Sequence, residues 1–283
     1  MAQLKPLDGK DVYLWKYLPS MPAAIIFVLL FTGVTSAHCW RTVRTRSWFC
    51  IAFAVGGLFQ IIGYGTRVFS HYHTDQIAPY AIQSSFILLA PAFYAASIYM
   101  VLARLVRSVH GERFSIVRPT RMTKLFVSGD ILSLSVQANG AGLTVDEKNQ
   151  ELGEYIVIVG LFIQLIVFGF FVVAALVFHM RMRRYVAKEP ELRLDVPWRQ
   201  GLKMLYACSV LIIVRSVFRI IEYMMGTDAY LLSHEWPMYV FDAVLMWTVQ
   251  VIFFGWFPDK LRLRPGGSGE DGHVLVGNES PIR

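Results

Sequence analysis

The chain has 283 residues, of which 55% are hydrophobic and only 17% charged, with positive mean hydropathy and a formal net charge of +7. That balance excludes a soluble globular domain and marks a polytopic membrane protein. The positive charge does not point to nucleic acid, because the basic residues sit in short connections between apolar runs, the distribution that membrane insertion selects.

Residues 1–20 read as a polar extracellular N-terminal segment. The apolar run that follows lacks a short h-region with a small-residue cleavage site, so no removed signal peptide is expected. Seven apolar segments then succeed one another, at 21–40, 48–69, 79–106, 122–143, 155–180, 200–225 and 236–257. A spanning helix takes roughly 20 residues, and the spacing predicts an all-α, seven-helix transmembrane domain over 21–258. Pro91 falls inside the third segment and predicts a kink there, its freed carbonyl satisfied by a neighbour or a water. The fourth segment is the most polar, with Gly129, Asp130, Gln137, Asn139, Gly140 and Gly142. Such a span is tolerated only inside a bundle.

Residues 259–283, with PGGSGEDG from Pro265, read as a disordered cytosolic tail. Lys and Arg number nineteen in the connections on one side and five on the other. The positive-inside rule then places the N-terminus outside and the C-terminus in the cytosol. A cytosolic tail makes the sequon Asn278-Glu279-Ser280 meaningless. Cys39, Cys50 and Cys208 lie in or beside apolar runs, which predicts three reduced thiols rather than a disulfide framework. Nothing matches G-x-x-x-x-G-K-[ST], so no built-in ATP motor is expected, and no internal repeat is visible between the halves.

The sixth segment, QGLKMLYACSVLIIVRSVFRIIEYMM, carries Arg215, Arg219 and Glu222. An ionised side chain at the middle of a spanning helix costs about 3 kcal/mol on insertion scales, so these three need partners. At about 100° per residue they share one narrow face, which must look into protein or water. Helix rise places Arg215 past mid-membrane, Arg219 and Glu222 near the outer boundary, and Asp242 of the seventh segment in the outer half. Gln60, Tyr64 and Arg67 form a stripe on the second segment, with Arg67 at its outer end. Asp130 falls in the inner third and Gln137 in the outer half of the fourth segment, on one face, with Gln164 near the middle of the fifth. Tyr239, three residues before Asp242, is a plausible cavity residue.

These positions and Glu235 make the candidate substrate-binding set: Arg67, Asp130, Gln137, Gln164, Arg215, Arg219, Glu222, Glu235, Tyr239 and Asp242. Two readings fit it. One is a fixed ion-pair core that pins the helices together; the other is a polar cavity that receives a lipid headgroup while the tails stay among the helices. His71, His73, His234 and Glu235 have the right chemistry for zinc, but loop histidines spaced by one residue are usually solvated. No metal or cofactor is expected. Ala92, Ala95 and Ala96 suit close helix packing. The basic connections will attract anionic inner-leaflet lipid.

Six stretches in order carry a resemblance: GYGTR at 63–67, LLAPAFYAASIYM at 88–100, FVSGDILSLSVQANGAG at 126–142, GLFIQ at 160–164, VRSVFRIIEY at 214–223 and HEWPMYVFD at 234–242. Together they resemble the fungal RTA-like proteins, a lipid-translocating exporter family linked to aminocholesterol and sphingoid-base resistance. The family often has an acid where Gln60 stands here. The resemblance implies a seven-helix plasma-membrane protein that is not an enzyme and that translocates or exports amphipathic lipids, sphingoid long-chain bases or sterol-like toxicants. It also touches porphyrin uptake. Two alternatives stand beside that reading. A seven-helix lipid sensor or receptor fits the topology, but the third segment ends in ARLVR without an acidic-Arg-aromatic triplet and the seventh lacks both an Asn-Pro pair and a lysine. A ceramidase-like hydrolase would need histidines gathered deep in the bundle at a zinc, whereas His38 and His179 are expected at cytosolic ends.

Overall fold

The computed structural model describes residues 19–72, 74, 76–143, 149–188, 198–225 and 234–257. The N-terminal segment to residue 18, the tail from residue 258, His73, Lys148 and the sequon lie outside the described residues.

Among the described residues seven helices follow one another: α1 (Met21–Thr45), α2 (Ile51–Ser70), α3 (Ile77–Ser108), α4 (Pro119–Leu143), α5 (Gln150–Lys188), α6 (Trp198–Met224) and α7 (Trp236–Gly255). Each packs on the next, and α7 closes the ring against α1. Six are long and apolar enough to cross a membrane; α4, diluted by its glycines, serines and amides, is the exception. It is held between α3 and α5, where its polar face finds protein. The protein is an all-α, multi-pass membrane bundle.

Most helices overrun the apolar segments that announce them. α1 continues five residues past Trp40 to Thr45, and α5 runs 39 residues. At 1.5 Å per residue that is about 58 Å, nearly twice the roughly 30 Å hydrocarbon core. The surplus of α5 carries Arg181, Arg183, Arg184 and Lys188, charged residues that solvate a helix end without ending the helix. One consequence is that His38 sits inside α1, buried and bonded through Nε2 to the Gln250 carbonyl oxygen at 3.0 Å, rather than at a helix end.

The outward faces are apolar: Leu29, Ile131, Ile166 and Val210 are all exposed, which is the inside-out pattern a lipid solvent allows. Inward, α3 is the best-covered helix, touching α2, α4, α5 and α6. Pro91 stands inside it, and its ring removes the N–H that would bond the carbonyl four residues back, that of Ile87. Arg215 of α6 supplies the missing donor: its Nη2 donates to the Ile87 oxygen at 3.1 Å. The carbonyl freed by the proline is thus satisfied by a neighbour.

Candidate functional site: a charge cluster between α2, α6 and α7

Steps of three and four residues bring one face of α6 and one face of α7 together. From α6 come Arg215, Arg219 and Glu222; from α7 comes Asp242, fully buried. Arg215 Nε donates to Asp242 Oδ1 at 2.6 Å and its Nη2 to Oδ2 at 3.4 Å. Arg219 Nη2 donates to Asp242 Oδ2 at 2.5 Å, and its Nη1 to Glu222 Oε2 at 2.8 Å. Two arginines thus share two acids, and the network is neutral. The members differ in access: the Arg215 and Asp242 side chains are 3% and 0% exposed, those of Arg219 and Glu222 15% and 9%.

Asp242 and Tyr239 lie on a wide π-helical turn, Tyr239–Val244, inserted between the start of α7 at Trp236 and the α-helix that resumes at Leu245. Such turns re-aim side chains and recur at functional sites.

A second group lies nearer the end of the bundle opposite the arginine-rich one. Arg67 of α2 donates through Nη2 to Glu235 Oε1 at 2.6 Å and through Nε to the Tyr239 hydroxyl at 3.2 Å. Tyr239 in turn donates to Glu235 at 3.1 Å, while the Ser20 backbone N–H donates to both Glu235 oxygens at 2.9 Å. Glu235 therefore ties the start of α1, the end of α2 and the start of α7 together. Beneath it, the Tyr239 ring stacks on Phe27 with centroids 5.2 Å apart, and Tyr64 stacks on Phe31.

Seven of the ten expected site residues meet in these two groups. The other three do not join them by any hydrogen bond or ion pair among the described residues. Gln137 Nε2 donates to Gln164 Oε1 at 3.1 Å across the α4–α5 contact, where Gly160 lets the helices close: a Cβ there would stand 2.6 Å from Gln137 Cγ. Asp130, near the middle of α4, accepts the Tyr99 hydroxyl of α3 at 3.0 Å. Of the residues considered for zinc, His71 bonds the Pro19 carbonyl oxygen at 2.7 Å and Glu235 is engaged as above. Among the described residues no three His, Cys, Asp or Glu side chains gather as metal ligands.

Residues 53–263 match the protein family described as RTA1 like protein. The chain belongs to that family. All ten candidate residues fall inside the matched stretch. Curated relatives include Protein RTM1 of Saccharomyces cerevisiae, 35% identical over 230 residues, covering 78% of this chain and 72% of that one. Protoporphyrin uptake protein 1 of the same yeast is 31% identical, covering 85% of this chain and 90% of that one. Sphingoid long-chain base transporter RSB1, also of Saccharomyces cerevisiae, is 27% identical, covering 87% and 73%. No solved structure matches.

In this RTA1-like bundle one polar layer escapes a reading of charges alone. Gln250 of α7 donates through Nε2 to the Tyr94 hydroxyl at 2.7 Å and to Thr35 Oγ1 at 3.3 Å. Gly57 of α2 is required here, since a Cβ would meet Thr35 and stand 2.6 Å from Gln250 Nε2. The signal was available: Gln250 continues the stripe of Tyr239 and Asp242 by helical steps. One turn from Gly57, Gln60 is buried with neither amide atom partnered among the described residues, and the Tyr64 hydroxyl is likewise unpartnered. Tyr99, the partner of Asp130, gives no such signal, because its aromatic ring reads as core.

Proposed function

We propose that this chain is a carrier, not an enzyme, that moves amphipathic lipids with a small charged head across the plasma membrane and so confers resistance to them. The N-terminus faces outside, and the arginine-rich end lies against anionic inner-leaflet lipid. The observation that carries the reading is the graded network on α6 and α7: a sealed pair, Arg215 and Asp242, beneath a more accessible pair, Arg219 and Glu222. The sealed pair is a structural anchor; the outer pair is exchangeable. An ammonium head can replace Arg219 at Glu222, and an acidic or hydroxyl-rich head can replace Glu222 at Arg219. A site offering both signs suits the spread of the relatives' names, since a sphingoid base presents an amine and a porphyrin its carboxylates. In this reading Arg67, Glu235 and Tyr239 lie on the approach to that pair, and the exposed apolar faces of the helices leave the tails in lipid.

The test is transbilayer movement of labelled phytosphingosine, beside labelled phosphatidylcholine, in liposomes with and without the purified protein. Movement of the sphingoid base above empty vesicles, lost in Glu222→Gln, is the expected result. No movement, with or without a proton gradient, would turn the reading to a seven-helix sensor that confers resistance by signalling.

A further inference from the structure

Among the acids buried within the helices, Asp130 differs from the rest. Asp242 and Glu222 each accept from an arginine, as does Glu235 at the entrance. Asp130 makes no ion pair among the described residues; its carboxylate accepts only the Tyr99 hydroxyl, at 3.0 Å. It stands eleven residues into a 25-residue helix, and so well inside the bundle. A charge there without a partner is the costly case, and a carboxylate so placed takes up a proton instead.

Among the described residues the neighbours supply no cation. Against α4 pack α3 and α5. On α3 the facing titratable group is Tyr99 itself, while Arg104, further along, lies over the Phe49 ring at 4.1 Å. On α5 the level is set by Val167, which a Cβ on Gly129 would meet at 2.8 Å. The titratable groups nearest that level, Tyr155 and His179, are each about 18 Å away along the helix. On α4 itself Arg121 and Lys124 are exposed.

The ligand must also be small. Tyr99 is held by Phe171 at 4.6 Å, Phe126 at 5.3 Å and Phe168 at 6.0 Å between ring centroids. None of these side chains, nor Asp130, is more than 4% exposed. An ammonium headgroup has no room among packed rings, and a hard metal ion asks for about six oxygens where the carboxylate and one hydroxyl supply three. A proton needs neither volume nor further ligands.

We propose that Asp130 is a reversible proton-binding site buried inside the bundle, in the inner third of the membrane, and that its proton is the ion that drives lipid movement. The second half rests on the carrier reading above. In the ionised state Tyr99 donates to Oδ2; when a proton from water is added to the carboxylate, the charge disappears, and the hydrogen bond is free to reverse with Tyr99 as acceptor. Neutralising the one buried charge of α4 removes the electrostatic reason for its docking against Tyr99. Loading and unloading thereby bias how α4 sits between α3 and α5.

The experiment has two arms. The full chain in phosphatidylcholine nanodiscs is followed by infrared difference spectroscopy between about pH 5 and about pH 9, a range centred on neutrality. A protonated-carboxyl band that titrates in the wild type, is absent from Asp130→Asn and has its midpoint moved in Tyr99→Phe is the expected result. A titration unchanged by Asp130→Asn overturns the proton site, and so does a wild-type spectrum with no titrating carboxyl. If Asp130→Asn does not fold, the Tyr99→Phe midpoint decides. In the second arm, labelled phytosphingosine moves in proteoliposomes under inward, outward or no pH gradient. Reversing the gradient should change the wild-type rate by about fivefold or more, the low end of ordinary coupling between two ligands, and leave Asp130→Asn unchanged. Wild-type movement indifferent to the gradient overturns the coupling while the carrier stands. No movement at all removes the carrier and the coupling together, and the spectra still decide the proton site.

Discussion

Arg215 and Asp242 sit in the middle of a chain of consequences that begins with single atoms. Asp242 accepts from two guanidiniums at 2.6 and 2.5 Å, so truncating it strands the buried Arg215 guanidinium and leaves Arg219 with Glu222 alone. Breaking one partner of a buried pair typically costs about 3–5 kcal/mol. Asp242→Ala is therefore expected to lower the unfolding midpoint in detergent sharply, whereas Glu222→Gln, at the more accessible end, should cost about 1 kcal/mol, the scale of a partly solvated pair. Glu222→Gln should nonetheless abolish lipid movement. Equal destabilisation by both substitutions would mean that the whole network is one structural lock. The residues of this network were legible in sequence because membrane hydropathy makes each charge conspicuous; their pairing was not, since helical spacing places Arg215, Arg219 and Glu222 on one face without saying which acid lies opposite.

At the scale of elements, the link between α3 and α6 runs through a missing hydrogen bond. Pro91 leaves the Ile87 carbonyl without its helical donor, and Arg215 bonds that oxygen at 3.1 Å. Pro91→Ala restores a backbone N–H that competes for the same oxygen, and relieves a residue about 3 kcal/mol less favourable than alanine inside a helix. The variant is expected to unfold no earlier than the wild type while moving labelled phytosphingosine more slowly, because α3 loses its tie to the charge cluster. Unaltered movement would show that the tie is idle. The proline and its orphaned carbonyl follow from backbone chemistry and could be read in advance. The π turn at Tyr239–Val244 could not: it adds nothing to hydropathy, and it exists because the α7 side chains must meet α2 at one level and α6 at the next.

Across the whole molecule, the arginine-rich loops and the charge cluster lie at opposite ends of one bundle. Nineteen basic residues against five in the connections set the expected orientation. Tags fused at the two ends should therefore divide: the N-terminal tag is reached by antibody on intact cells, and the C-terminal tag only after permeabilisation. The reverse labelling would place the Arg219–Glu222 pair towards the cytosol and invert the direction of the proposed carrier.

Class, helix count and the identity of the buried charges were determined by sequence alone, because the bilayer imposes length and polarity rules on every segment separately. Contacts between segments were decided by the fold. Gln137 pairs with Gln164, Asp130 turns to Tyr99, and Gln250 gathers Thr35 and Tyr94, although depth alone had put Gln137 and Gln164 beneath the arginines. Depth is a coordinate along the membrane normal, and it carries no information about azimuth. Which helix faces which is settled only when seven of them close into a ring and most buried polar groups find partners.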